Sequence, residues 1–213
     1  MNKGRFTPAA VMALGLLGTA LTVALVVGIH IWLDPGSGAE ANGMPADFGS
    51  QAAVIQNVAI NEVMAAAARS LIDQDGEPSD WIELYNPTDQ AIDLGGWYLS
   101  DKQSNPARWE IPAGTWIGPG EFLIVLASGK DRSGPELHTN FRIDQEGEAL
   151  FLVYRDGLTV IDHVDVPSLK TDFSYGRKPD GGEAWVLFER IHASPGFSNN
   201  KAAGYIEPDS SLN

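Results

Sequence analysis

The sequence predicts an all-β domain, a sandwich or a barrel. Three observations predict it. Apolar residues between positions 81 and 188 recur in short runs that either alternate or are unbroken, rather than at helical spacing. Turn residues such as Pro119-Gly120, Asp156-Gly157 and Asp180-Gly181-Gly182 separate these runs. Regular short strands with no helical pattern between them mark a sandwich or barrel rather than an α/β fold.

Ala65 to Ala68 has room for one helical turn, and its neighbours Asn61 and Glu62 sit where a strand should end. Trp81-Ile82-Glu83-Leu84-Tyr85 alternates and stops at Asn86-Pro87. Leu94 to Leu99 is closed by Ser100-Asp101. Phe122 to Leu126 is continuously apolar, as a strand covered on both faces would be, and Ala149 to Tyr154 is a second such run. Thr159 to Val166 alternates again, and Trp185 to Phe188 is a short last run. Trp81, Trp97 and Tyr175 are expected to fill the space between sheets, where large side chains are needed.

The domain occupies only part of the 213 residues. From Pro8 to Leu33 there is no Asp, Glu, Lys or Arg. At ~1.5 Å per residue such a run spans a hydrocarbon core of ~30 Å. Lys3 and Arg5 precede it, so the N-terminus is expected in the cytoplasm and the C-terminal bulk outside, periplasmic or extracellular. Its length favours a single-pass signal anchor over a cleaved signal peptide, although a cut after Ala41 would give a secreted form. His30 and Trp32 read as interfacial side chains at its outer end. Residues 1–33 are therefore read as cytoplasmic stub and transmembrane helix, 34–53 as a flexible linker, 54–200 as the β-domain and 201–213 as a polar tail.

Composition excludes several functions. The chain has no cysteine, hence no disulfide framework, thiol nucleophile or Cys-ligated zinc. It holds 28 acidic against 14 basic residues, a net charge of −14, which argues against a nucleic-acid partner.

Six ordered strings carry a family resemblance. INEVMAAAARSLIDQDGEPSDWIELYNP (60–87), LGGWYLSD (94–101), FLIVLASGKD (122–131), LHTNFRID (137–144), SYGRKPDGG (174–182) and SPGFSN (194–199) resemble bacterial lamin-tail domains. The resemblance implies an immunoglobulin-like β-sandwich. It also implies a binding surface or accessory module, and by itself it carries no DNA-binding or nuclear role.

Candidate sites are few. Asp73, Asp75 and Asp80 lie in an acidic loop with Gly76, and oxygen ligands at alternate positions suit calcium. The spacing departs from an EF-hand, since the Gly falls at the fourth position and the terminal Glu is missing. The plainer reading is an acidic turn whose Asp side chains bond their own backbone. Glu62 and Glu83 are a possible acid/base pair, though such residues more often bond backbone amides or an arginine, with Arg108, Arg142 or Arg177 as ion-pair partners. Arg177 is also a surface-binding candidate. Trp109 and Trp116 flank Ile111-Pro112-Ala113-Gly114: exposed, they would stack on sugar rings; buried, they are core. Lys130, Asp131 and Arg132 read as a solvated turn. His138, His163 and His192 show no zinc spacing, and no nucleophile elbow or phosphate loop is present in the sequence.

The expected function is thus a membrane-tethered, non-enzymatic interaction module that binds another envelope or extracellular protein, without a cofactor unless calcium. Glycan or envelope-polymer binding is the alternative, and an accessory hydrolase the third.

Overall fold

The apolar runs become strands of two facing sheets. The computed structural model describes residues 58–202 and 204–206. The expected membrane span, the Ala41 cut, the whole of the linker and most of the tail lie outside the described residues, among which no helix is long and apolar enough to cross a membrane.

The strands are β1 (Ala59–Met64), β2 (Trp81–Tyr85), β3 (Ile92–Asp93), β4 (Tyr98–Ser100), β5 (Trp109–Glu110), β6 (Trp116–Ile117), β7 (Phe122–Leu126), β8 (Leu137–His138), β9 (Glu148–Val153), β10 (Val160–Val166), β11 (Phe173–Arg177) and β12 (Trp185–Glu189). One sheet has the order β12-β11-β1-β2-β7-β8, the second β10-β9-β4-β5, and β3 pairs with β6 alone. All pairings are antiparallel except β7 with β8. The sandwich expectation holds.

The core lies between the sheets. Ile60, Val63, Ile82, Leu84 and Val125 from the six-stranded sheet join Trp97, Leu99, Leu150, Leu152 and Val164 from the other side. Burying one such side chain stabilises the fold by roughly 1.5–3 kcal/mol. Trp81 departs from expectation. It packs with Met64 and Leu126 on the outer face of the larger sheet, and its indole N–H donates to Ser70 Oγ at 3.2 Å. Its neighbours Ile82 and Leu84 take the core face, so alternation sends Trp81 and Glu83 outward.

Two further corrections concern β1. Residues 65–70 form bends, not a helical turn, and Ala66 takes a left-handed φ of 58°. Asn61 and Glu62 lie inside β1 rather than at its end, because a bulge falls between Ile60 and Glu62. The extra residue lets Ile60 and Val63 both face the core while Glu62 faces out. The bulge frees the N–H and C=O of Ile60 from the ladder. Asp162 Oδ2 on β10 accepts the N–H at 2.8 Å, and Arg177 Nε donates to the C=O at 2.9 Å.

The chain beyond β12 does not leave the domain. It crosses the outer face of the larger sheet, forms a 3₁₀ turn over Asn199–Lys201, and returns so that Ile206 pairs with Leu187 at the sheet edge. Those two residues exchange backbone hydrogen bonds of 2.9 and 2.8 Å.

Candidate functional site

The acidic loop is organised by one side chain. Asp73 Oδ1 accepts the amides of Asp75 (2.9 Å) and Glu77 (3.1 Å), and Oδ2 accepts from Ser79 Oγ at 3.0 Å. These are the bonds expected of an acidic turn. The charge is met from a second loop 57 residues away: Lys130 Nζ lies 2.6 Å from both Asp73 and Asp75 and 3.0 Å from Glu77. Arg132 adds a fork to Asp75, with bonds of 2.7 and 3.2 Å. Lys130 and the surrounding donors hold the Asp73 carboxyl far below the usual carboxylate range. Arg132 and then Lys130 do the same for Asp75. Lys130 and Arg132 are therefore not a solvated turn but one side of an ion-pair network.

The three calcium candidates are divided by this geometry. Asp73 and Asp75 converge on the Lys130 ammonium, a cation supplied by the chain. Asp80 points elsewhere: its Oδ1 accepts the Ala67 amide at 2.8 Å, and burial raises its pKa. Among the described residues no group of three or more His, Asp or Glu side chains is arranged to hold a metal ion. An open cleft of about 190 Å³ lies between the two loops, lined by Asp80, Ser128, Lys130 and Arg142 among others.

A constellation missed in the sequence borders this cleft. Ser128 Oγ is 2.9 Å from His138 Nδ1, and His138 Nε2 is 3.3 Å from Glu136. The order Ser–His–Glu suggests a nucleophile and base. The details point to loop architecture instead. Ser128 Oγ accepts the Lys130 amide at 3.2 Å, His138 is fully buried, and Arg132 comes within 3.2 Å of its Nε2. No sequence spacing signals this grouping, because it depends on the parallel pairing that sets Leu126 beside His138.

Arg177 is not a free surface group. Besides Ile60 it donates to Gly182 O and, through Nη2, to both oxygens of Asp162 at 2.9 and 3.0 Å. Its guanidinium lies 4.6 Å from the centroid of the Trp185 ring. It ties β11, β1 and β10 together, which corrects the surface-site expectation. The tryptophan pair splits. Trp109 is 4% exposed and belongs to the core, whereas Trp116 is 59% exposed. The reason is strand phase: Ile117, not Trp116, takes the inward position on β6. Trp185 is half-buried and stacks on Tyr175 at 4.9 Å.

Glu62 and Glu83 do meet, as cross-strand partners in the β1–β2 register. Both are fully buried on the outer face. None of the three expected arginines reaches them: Arg108 pairs with Asp101 and Arg177 with Asp162, while Arg142 borders the cleft. Their partners are hydroxyls, an amide side chain and backbone N–H groups. Glu62 accepts from Ser174 Oγ and from Ser194 N and Oγ, and Glu83 from Asn61 Nδ2 (3.0 Å) and Gly196 N (2.7 Å).

The family model described as Lamin Tail Domain matches residues 51–168. No curated protein matches the chain.

Proposed function

The chain belongs to the lamin tail domain family, and on that premise we propose that it is a non-enzymatic interaction module. In this reading the apolar run 8–33 tethers it outside the cytoplasmic membrane, and its partner is another envelope or extracellular protein. The observation that carries the reading is the loop platform at residues 71–80 and 128–138. Its charges are locked to one another across the fold, so it presents a fixed surface around a polar cleft. A pre-ordered surface loses little conformational entropy on binding, which favours recognition. The same locking argues against chemistry, since Asp73, Asp75 and Lys130 already hold one another.

The test is a crosslinking pull-down from intact cells with the full chain, beside a variant carrying Lys130→Glu and Arg142→Glu. A specific partner retained by the natural chain and lost from the variant supports the reading. Equal recovery with both, or none with either, removes the platform from it.

The alternative, a glycan or envelope-polymer binder, retains one support in the exposed Trp116 ring. Quenching of Trp fluorescence by envelope polysaccharide, abolished by Trp116→Ala, would favour it over a protein partner.

A further inference from the structure

The buried carboxylates Glu62 and Glu83 serve no role in the loop platform. They lie on the opposite side of β2 from the core, under the segment that follows β12. Their register partners in the sheet leave no doubt about proximity: Glu62 faces Glu83 across β1–β2 and Gly176 across β1–β11. A third carboxylate, Asp180, approaches from the turn after β11. It accepts from Asn61 Nδ2 at 3.1 Å, Asn199 N at 2.9 Å, Asn200 Nδ2 at 2.9 Å and the Ser198 hydroxyl.

The three acids grip one piece of chain. Glu62 holds Ser194, Glu83 holds the Gly196 amide, and Asp180 holds Ser198, Asn199 and Asn200. Gly176 makes room for this contact: a Cβ there would lie 2.9 Å from Asn199 Nδ2 and 2.9 Å from Glu62 Cγ. The segment is thus seated on the sheet chiefly through polar contacts, to these carboxylates and, from Asn199 Nδ2, to the carbonyls of Asn61 (3.4 Å) and Arg177 (3.0 Å). Phe197, its largest side chain, is 74% exposed.

No cation among the described residues neutralises the cluster. Among the described residues none of the three acids has a salt bridge. Lys178, on the connection just after β11, directs its ammonium at the carbonyls of Asn199 and Ala202, each at 2.9 Å. Arg177 on β11 is paired with Asp162. Beyond β12, Arg190 and Lys201 are exposed, and His192 lies beside Gly204. From the strands the remaining facing groups are neutral: Asn61, Ser174 and Phe188.

We propose that residues 194–200 form a pH-gated latch over the Glu62–Glu83 pair, closed while the pair retains a proton and released when both carboxylates ionise. Two like charges buried at adjacent positions cannot both ionise cheaply. The economical relief is to lift the segment after β12, which is not a strand, and admit water. Burial pushes Glu62 up to about 7; burial, with the Glu62 charge adding, pushes Glu83 up to about 8. The sign follows. Both groups lie above their ordinary value of 4.5, so their contribution to the closed state is complete below that pH. It is lost as pH rises through about 7 and about 8.

The latch is tested by hydrogen exchange on the full chain from pH 5.5 to 9.5, corrected for intrinsic base catalysis. Protection of residues 194–200, taken relative to β2 and β7, is expected to fall by about tenfold or more across the range, one pKa unit being a factor of ten. The variant Glu62→Gln/Glu83→Gln is expected to give a flat profile. A flat profile in the natural chain, or an unchanged slope in the variant, overturns the proposal. Should the variant fail to fold, the side-chain carboxyl resonances of the natural chain decide. Two coupled titrations above the usual carboxylate range support the latch, and two titrations below pH 5 refute it.

Discussion

Replacing Arg177 by alanine removes a bulge support and an ion pair in one step. The lost contacts are those to Ile60 O, to Gly182 O and to both oxygens of Asp162. What remains is an unpartnered carbonyl at the β1 bulge and a carboxylate whose side chain is only 18% exposed. Breaking a buried pair from one side costs roughly 3–5 kcal/mol. The residual exposure of the pair, 11% and 18%, admits some water and sets the expectation at the lower end, about 3 kcal/mol. For a domain of this size that corresponds to a fall in Tm of roughly 6–12 °C. Arg177→Lys keeps the charge but not the fork and is expected to lose about 1–2 kcal/mol. Urea unfolding of the full chain, followed by fluorescence of its six tryptophans, reads both variants. A cycle with Asp162→Asn is expected to show coupling of about 1–3 kcal/mol. An Arg177→Ala variant within about 0.5 kcal/mol of the natural chain, or a cycle with no coupling, refutes the reasoning.

Other substitutions probe the remaining features. Millimolar calcium is expected to leave the Tm of the natural chain unchanged, and also that of Lys130→Met, because Arg132 still holds Asp75 and the loop amides and Ser79 still hold Asp73; a calcium-dependent rise in the natural chain would favour the metal reading. Because Asp73 and Asp75 are held below their ordinary value of 3.8, the stability they contribute is present above that pH and lost as pH falls below it, and an acid titration of Tm is expected to show a smaller arm in Lys130→Met, which removes the main cause at Asp73 and leaves Arg132 on Asp75. Gly176→Ala is expected to cost about 1–3 kcal/mol through overpacking. Exchange should rise in residues 194–200 more than in β11, and uniform loss of protection would mean that the sheet itself gave way. Trp109→Ala is expected to lose about 3–5 kcal/mol and Trp116→Ala less than about 0.5 kcal/mol, as measured by urea unfolding.

The fold was legible where a strand has one wet face or two apolar ones. The alternation of Trp81 to Tyr85 and the unbroken runs at Phe122 and Ala149 announce β2, β7 and β9 directly. β1 was not legible by pattern, because its two polar residues face a surface that the turn after β11 and the C-terminal segment cover. A sequence window around Asn61 and Glu62 contains no trace of Ser194 or Gly196. The pairs of residues at β3, β5 and β6 are too short to carry a period at all. The site was less legible than the fold for a related reason. Asp73 and Asp75 advertise a need for a cation, and the loop itself does not say that Lys130 meets it. Arg177 advertises a positive charge, and nothing near it says that a bulge in β1 and a carboxylate on β10 use every donor. The acidic clusters were visible; their partners are set by topology.

The return of the chain to the sheet edge also bears on how the molecule behaves in a crowd. Ile206 occupies the backbone groups of Leu187 at the outermost strand of the larger sheet. An uncovered strand edge is a template on which a second copy adds by hydrogen bonding alone. By laying Ile206 along that edge at Leu187, the chain leaves less of this strand open to such addition.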